Sequence, residues 1–256
     1  MRLGIAGYGR MGRLFERCLG GRFEVIFYSE HGRSDVESLE ELYLKSDVVM
    51  VASSLASTPE RLGKLAEISR EYGGKKTVFD IATFKSHVIK AYTGFSEETT
   101  VASVHPMFGP GAKSIEGKRF IVVPIPGREE GAEKVADFIR SFGGKVTFLD
   151  WKTHDKMMGF VIGVPYFIGL SYLSFSRKLR LEEFGGTSWA FLETYGKAVL
   201  HDSPDFIRDV LSLSREQIED FLNFLRENPP NPGALIGEFE REEIKEAYRR
   251  FYKTLE

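Results

Sequence analysis

Cysteine is almost absent: Cys18 is the only one in 256 residues, so no intramolecular disulfide can form and a disulfide-built scaffold is excluded. A reducing compartment is compatible with this, and a cytoplasmic setting is the expected one. Cys18 lies in an apparent helix with no motif around it and reads as a structural thiol, not a nucleophile. A dominant charge is lacking too. The 35 Lys and Arg residues against 37 Asp and Glu leave a net charge of −2, which gives no reason to expect a nucleic-acid partner. No apolar stretch of signal length precedes Leu3-Gly4-Ile5-Ala6, which argues against secretion. The most apolar segment, Met157 to Phe175, is broken by Gly159, Gly163, Pro165 and Gly169. It falls short of the roughly 18 to 20 uninterrupted apolar residues of a membrane span and suits a core helix better, so no membrane partner is expected. No Cys/His/carboxylate cluster has metal-ligand spacing, and no strand leads into a G-x-S-x-G elbow.

What is present is ordinary globular composition, 42% apolar and 28% charged, at a length that suits two domains. Seven short apolar runs read as strands: Leu3–Ala6, Glu24–Tyr28, Asp47–Ser53, Thr77–Ile81, Thr100–Val104, Phe120–Pro124 and Lys145–Leu149. Helical patterns separate several of them, at Met11–Leu19, Pro59–Tyr72 and Arg128–Phe142. Such alternation predicts an α/β, Rossmann-type, mostly parallel sheet with both faces covered. Beyond Leu149 no strand pattern recurs and helical periodicity dominates. The expected division is residues 1–150 as a dinucleotide-binding domain and 151–256 as an all-helical domain.

The glycine fingerprint Gly7-Tyr8-Gly9-Arg10-Met11-Gly12 has the context its mechanism requires, an apolar strand before it and an amphipathic helix after it. Gly7 permits the tight turn, Gly9 lets backbone approach a pyrophosphate, and Gly12 lets the helix pack on the strand. The helix N-terminus then offers N–H groups and a positive dipole end to the anion. Tyr8, Arg10 and Met11 join the loop's contacts, with Ser53 at the end of the third strand. NAD and NADP both stay open. Ser29 stands where the ribose-binding acid is expected, Glu30 follows one residue later, and His31 and Arg33 are near enough in sequence to meet a 2′-phosphate.

The densest functional signal is Ser103-Val104-His105-Pro106-Met107-Phe108-Gly109-Pro110. A histidine at the C-terminal end of a strand lies where open α/β sheets bind ligands, and it can accept a proton near neutral pH. Oxidation of an alcohol by hydride transfer needs such a base.

His105-Pro106-Met107-Phe108-Gly109-Pro110 resembles the signature of the prephenate dehydrogenase family. Asp80-Ile81-Ala82-Thr83-Phe84-Lys85 resembles that family's D-x-x-S-V-K strand end. Thr153-His154-Asp155-Lys156-Met157-Met158 resembles its helix start after the last Rossmann strand. Gly196-Lys197 with His201-Asp202-Ser203-Pro204 is similar to its G-R…DP segment. The resemblance implies oxidation of a ring alcohol, loss of CO2 and aromatisation, with prephenate or its transaminated relative arogenate as substrate. By the same resemblance His105 is the base and Thr83 stands for a family serine near the reacting hydroxyl. Lys197 replaces an arginine that holds a substrate carboxylate, keeping the charge but losing bidentate geometry. Tyr166 replaces a second histidine, and His154 reads as structural. A homodimer through the helical domain is implied as well. Another dehydrogenase or reductase of this two-domain plan, or an inactive dinucleotide-binding regulatory protein, are the competing readings.

Overall fold

The structure is a computed structural model and describes residues 1–255. The chain divides into two compact units, Met1–Asp155 and Lys156–Glu256. The first unit is built on a seven-stranded sheet: β1 (Arg2–Ala6), β2 (Glu24–Tyr28), β3 (Val48–Val51), β4 (Thr77–Asp80), β5 (Thr100–Pro106), β6 (Arg119–Val123) and β7 (Lys145–Phe148). Its spatial order is β2-β1-β3-β4-β5-β6-β7. All neighbours pair parallel except β5 and β6, which run antiparallel with His105 opposite Ile121. The interior strands are buried along nearly their whole length because both faces are covered, and β3 is apolar throughout. β2 and β7 are the edges, and their residues are correspondingly more exposed.

The covering helices are α1 (Arg10–Leu19), α2 (Leu39–Lys45), α3 (Thr58–Tyr72) and α4 (Glu130–Ser141), with a 3-10 turn at Ile89–Gly94. In α1, Leu14, Phe15 and Leu19 face the core, as the periodicity predicts, whereas Cys18 is only partly buried. α2 is a short helix missed in the sequence; Ser38 caps it by accepting from the Glu41 N–H at 3.0 Å. The strand order reverses at β1, with β2 on one side and β3 on the other. That switch point is where a doubly wound sheet opens a crevice beyond its strand ends.

α5 (Trp151–Met158) begins where the Asp150 carboxylate accepts from the N–H groups of Lys152 and Thr153, at 3.0 and 3.1 Å. This cap fixes the first turn, on which His154 and Asp155 sit.

In the second unit a π-helical turn, Gly159–Gly163, leads into α6 (Val164–Leu179). Pro165 supplies no N–H to the helix and disrupts its regular ladder there. Gly163 packs so closely on Ser214 that a Cβ would fall 2.1 Å from its side chain. α7 (Thr187–Val199), α8 (Pro204–Leu213), α9 (Arg215–Glu227), α10 (Pro232–Ile236) and α11 (Arg241–Leu255) complete this unit. The helical run Trp151–Leu179, with a mean hydropathy of 1.6 over its most apolar window, meets the length and composition of a membrane span, contrary to the sequence reading. Short interruptions do not lower a window average enough, and the measure alone is weak evidence for a span.

Candidate active site

The parallel strands of the first unit end on one side of the sheet, and this edge carries both the glycine loop after β1 and the Thr83 and His105 segments after β4 and near the end of β5. Asp80 pairs in register with Ser103. The segments carrying Thr83 and His105 therefore leave adjacent strands.

A hydrogen-bonded chain runs inward from His105. Its Nδ1 lies 3.0 Å from His154 Nε2, and His154 Nδ1 lies 2.8 Å from Asp155 Oδ1. Both rings are buried. A carboxylate only accepts, so His154 carries its proton on Nδ1 and presents a bare Nε2. His105 must then donate from Nδ1, which leaves the lone pair on His105 Nε2. The network thus assigns the tautomer a general base requires. His154, read from the sequence as structural, is bonded directly to the catalytic candidate.

Asp155 has a second task. Its two oxygens accept the N–H groups of Lys85 and Ser86 at 2.7 and 2.8 Å, clamping the turn that follows Thr83. Burial pushes its carboxyl up, but the bonds from His154, Lys85 and Ser86 outweigh this and leave it below the ordinary value. Burial, together with the Lys85 charge and the neighbouring His154, pushes His105 well below its ordinary 6.5. His105 is therefore neutral and able to accept a proton at pH 7.

Beneath the two strand ends lies a fully buried ionic cluster. Lys85 Nζ donates to Ala82 O at 2.6 Å, Val104 O at 2.8 Å and Asp80 Oδ1 at 3.3 Å. Tyr92 and Ser103 donate to Asp80 Oδ2 at 2.6 and 2.5 Å. Lys85 thus ties the Thr83 segment to the residue preceding His105. Sequence alone gives a lysine there no such burial, and Tyr92 carries no motif. Burial pulls the Lys85 ammonium down, opposed by Asp80. Lys85→Met leaves the Asp80 carboxylate without its cation and is expected to cost about 3–5 kcal/mol. Urea denaturation measures this, and an unchanged midpoint would show the pair to be dispensable.

The glycine loop is packed so that side chains are excluded at two of its three glycines. A Cβ on Gly7 (φ +127°) would fall 2.5 Å from Ala52 O, and one on Gly12 would fall 2.3 Å from Gly7 O. Both positions are closed to any side chain. Over Gly9, the residue before α1, the nearest atom to such a Cβ is 4.0 Å away, and no side chain caps the helix. The loop therefore leaves backbone room at a helix N-terminus, which fits an anionic diphosphate. Tyr8 packs edge-on to Phe27, with Arg13 near its ring. Ser53 Oγ lies 2.9 Å from Thr58 Oγ1 at the start of α3.

At the end of β2 the candidates separate. Ser29 Oγ donates to His31 O at 2.6 Å and closes a local turn. Arg33 pairs with Glu16 at 2.6 Å and Asp35 at 3.0 Å, so its charge is already committed. Glu30 instead pairs with Arg61 of α3. In the second unit, Lys197 Nζ lies 3.1 Å from Glu193, a carboxylate it shares with Arg177 at 3.3 Å. Tyr166 donates to Asp202 at 2.5 Å. Neither side chain is idle in its own unit. Among the described residues, no group of three His, Cys, Asp or Glu could hold a metal ion.

No family model matches the chain. A Methanocaldococcus jannaschii protein named "Probable arogenate/prephenate dehydrogenase" is 26% identical over 246 residues, covering 87% of this chain and 54% of that protein. The prephenate dehydrogenase from A. aeolicus, solved with hydroxyphenyl propionate and NAD+, matches at a TM-score of 0.69 and 19% identity, over 100% of this chain and 97% of its own. The Synechocystis arogenate dehydrogenase matches at 0.68 and 14%, covering 99% and 98%. The curated and structural neighbours point to the prephenate and arogenate dehydrogenase family. The chain spans about half the length of the curated relatives it matches. The fold itself is shared with other dehydrogenases: a Mycobacterium tuberculosis 3-hydroxyisobutyrate dehydrogenase matches at a TM-score of 0.57 and 12% identity. Fold likeness to prephenate dehydrogenases therefore bears on architecture, and chemistry has to be argued from the site.

Proposed function

We propose that this chain is an NAD(P)-dependent dehydrogenase that oxidatively decarboxylates prephenate or arogenate, as a soluble cytoplasmic enzyme of tyrosine biosynthesis. The observation that carries the proposal is the His105–His154–Asp155 chain, ending in a bare Nε2 at a strand terminus of a dinucleotide-binding sheet. Bound NAD or NADP would supply the hydride acceptor. Gly7, Gly9 and Gly12 would hold its diphosphate, with Tyr8, Arg10, Met11 and Ser53 bordering the loop.

His105 Nε2 takes the proton of the ring hydroxyl as the hydride leaves the same carbon. The positive charge arising on His105 is offset through His154 by the Asp155 carboxylate, without a proton having to reach Asp155. Oxidation places a ketone in vinylogous β-keto relation to the ring carboxylate. Loss of CO2 then sends its electron pair through the ring to oxygen, and His105 returns the proton to that phenolate. One substrate thus yields one hydride equivalent, one CO2 and one aromatic product. Thr83, in the segment clamped through Asp155, would hydrogen-bond the hydroxyl. Lys197 and Tyr166 are kept as substrate contacts, each exchanging its present partner, Glu193 or Asp202, for the ligand.

The helical unit is proposed as the substrate-binding and dimerising part of a homodimer. Val161, Phe175 and Leu179 expose half or more of their surface, an apolar area that a second copy would cover. Light scattering of the purified chain is expected to read a dimer; a monomer at micromolar concentration would remove this part of the proposal. The activity is tested by NAD(P)H formation from prephenate and from arogenate with each cofactor.

A further inference from the structure

At the C-terminal end of β2 a small cleft, open to solvent, is bounded by Tyr28, Glu30, Leu39, Ser57, Arg61 and Lys64, with Glu60 at its rim. Arg61 dominates it. Its side chain is only 14% exposed, its guanidinium carbon stands 5.8 Å from the centre of the Tyr28 ring, and its Nη2 lies 3.4 Å from Glu30 Oε2. Its other terminal nitrogen, Nη1, is buried and has no hydrogen-bond partner. A buried guanidinium N–H without an acceptor is costly, so an acceptor brought by a ligand would remove that penalty. The cleft opens at the edge strand beside β1, on the side of the sheet where the glycine loop lies. A dinucleotide whose diphosphate rests on that loop extends its adenosine half toward the end of β2.

We infer that Arg61 binds the adenosine end of the cofactor, and that its pairing with Glu30 selects a ribose 2′-hydroxyl over a 2′-phosphate. The inference rests on the dinucleotide reading of the glycine loop. The planar guanidinium, backed by Tyr28, offers a flat cationic face to a purine, and a small turn of the side chain as the ligand enters would bring the unpaired Nη1 to a ribose or purine acceptor. Glu30 can accept from a ribose hydroxyl while keeping its bond to Arg61. A 2′-phosphate meets the Glu30 carboxylate and has to displace it from Arg61 before gaining anything. The nearby cations offer no easy substitute. Lys64 is held by Glu60 at 2.7 Å, and Arg33 is held by Glu16 and Asp35. NAD is therefore the favoured cofactor, through a residue on α3 that the fingerprint does not contain.

The test is binding of NAD+ and NADP+, without substrate, to the full chain by isothermal titration calorimetry. Wild-type protein is expected to bind NAD+ at least about tenfold more tightly, a ratio that corresponds to about 1.4 kcal/mol. Glu30→Gln should narrow or reverse the preference by freeing Arg61 for the phosphate. Adding Arg61→Gln to Glu30→Gln should cancel the gain for NADP+, and Arg61→Gln alone should weaken both cofactors. Circular dichroism of each variant reports whether the fold is kept. Equal or NADP+-favouring binding by wild type, or a ratio unmoved by Glu30→Gln, overturns the inference and leaves the dehydrogenase reading intact. Absence of binding by either cofactor overturns both.

Discussion

His105→Asn should lower kcat for prephenate or arogenate oxidation by about 10²- to 10⁴-fold, the contribution of a positioned general base, with cofactor affinity unchanged. Asparagine can still donate a hydrogen bond toward His154 but has no lone pair of comparable basicity to offer the hydroxyl. The glycine loop follows β1, and nothing in its packing depends on the His105 ring. Dinucleotide binding is therefore expected to survive. The assay is steady-state NAD(P)H formation alongside cofactor titration. Full activity in the variant would assign the proton transfer to another group. The wild-type profile carries a second expectation. Burial holds His105 well below 6.5, so the acid limb of kcat/KM should lie below that value. Neutral His105 is active, and activity is lost only as the pH falls through the lowered value.

The second large effect concerns Asp155. Asp155→Asn should reduce kcat by about 10- to 100-fold, the usual cost of removing a partner that orients a reacting group. Asp155 touches no substrate in this account; it is a positioning residue acting through His154. Two consequences separate that role from support of the fold alone. Without the carboxylate, a charge on His105 is less stabilised, so the acid limb should move to lower pH. Asp155→Glu, which keeps the charge, should recover part of the rate if its longer side chain still reaches His154. A variant with normal kcat and an unmoved limb would contradict the relay. One that loses kcat by misfolding is recognised by loss of the native circular dichroism spectrum at the assay temperature. Asp155 also accepts two backbone N–H groups, so some loss of stability is expected in either case.

The architecture was legible because a sheet buried on both faces writes its strands as short apolar runs. Each of the seven runs overlaps an observed strand, Glu24–Tyr28 with the same bounds. Antiparallel pairing of β6 was not legible, since a buried strand has the same residues whichever way it runs. α2 escaped because seven residues give less than two helical turns of periodicity.

The site divided along similar lines. His105 was visible from its hexapeptide and strand-end position. Its partnership with His154 was not, because 49 residues separate them and only the packing of α5 closes the distance. Lys85 has the appearance of a surface cation in sequence, yet it is fully buried among Asp80 and two carbonyls. Arg61 sits in the first turn of an amphipathic helix, where an arginine ordinarily faces water. Its burial depends on Tyr28 and Glu30, contributed by another strand end. Arg33 erred in the opposite direction: near the ribose position in sequence, it is engaged by Glu16 and Asp35. What sequence could not show in each case was a contact between distant segments.

The central claim is coupled oxidation and decarboxylation, and the most direct measurement is its stoichiometry. Purified protein, given prephenate or arogenate with NAD+ or NADP+, should release CO2 and form NAD(P)H in equal amounts with at least one of the pairs. Saturable dinucleotide binding with no turnover of either substrate would contradict the account.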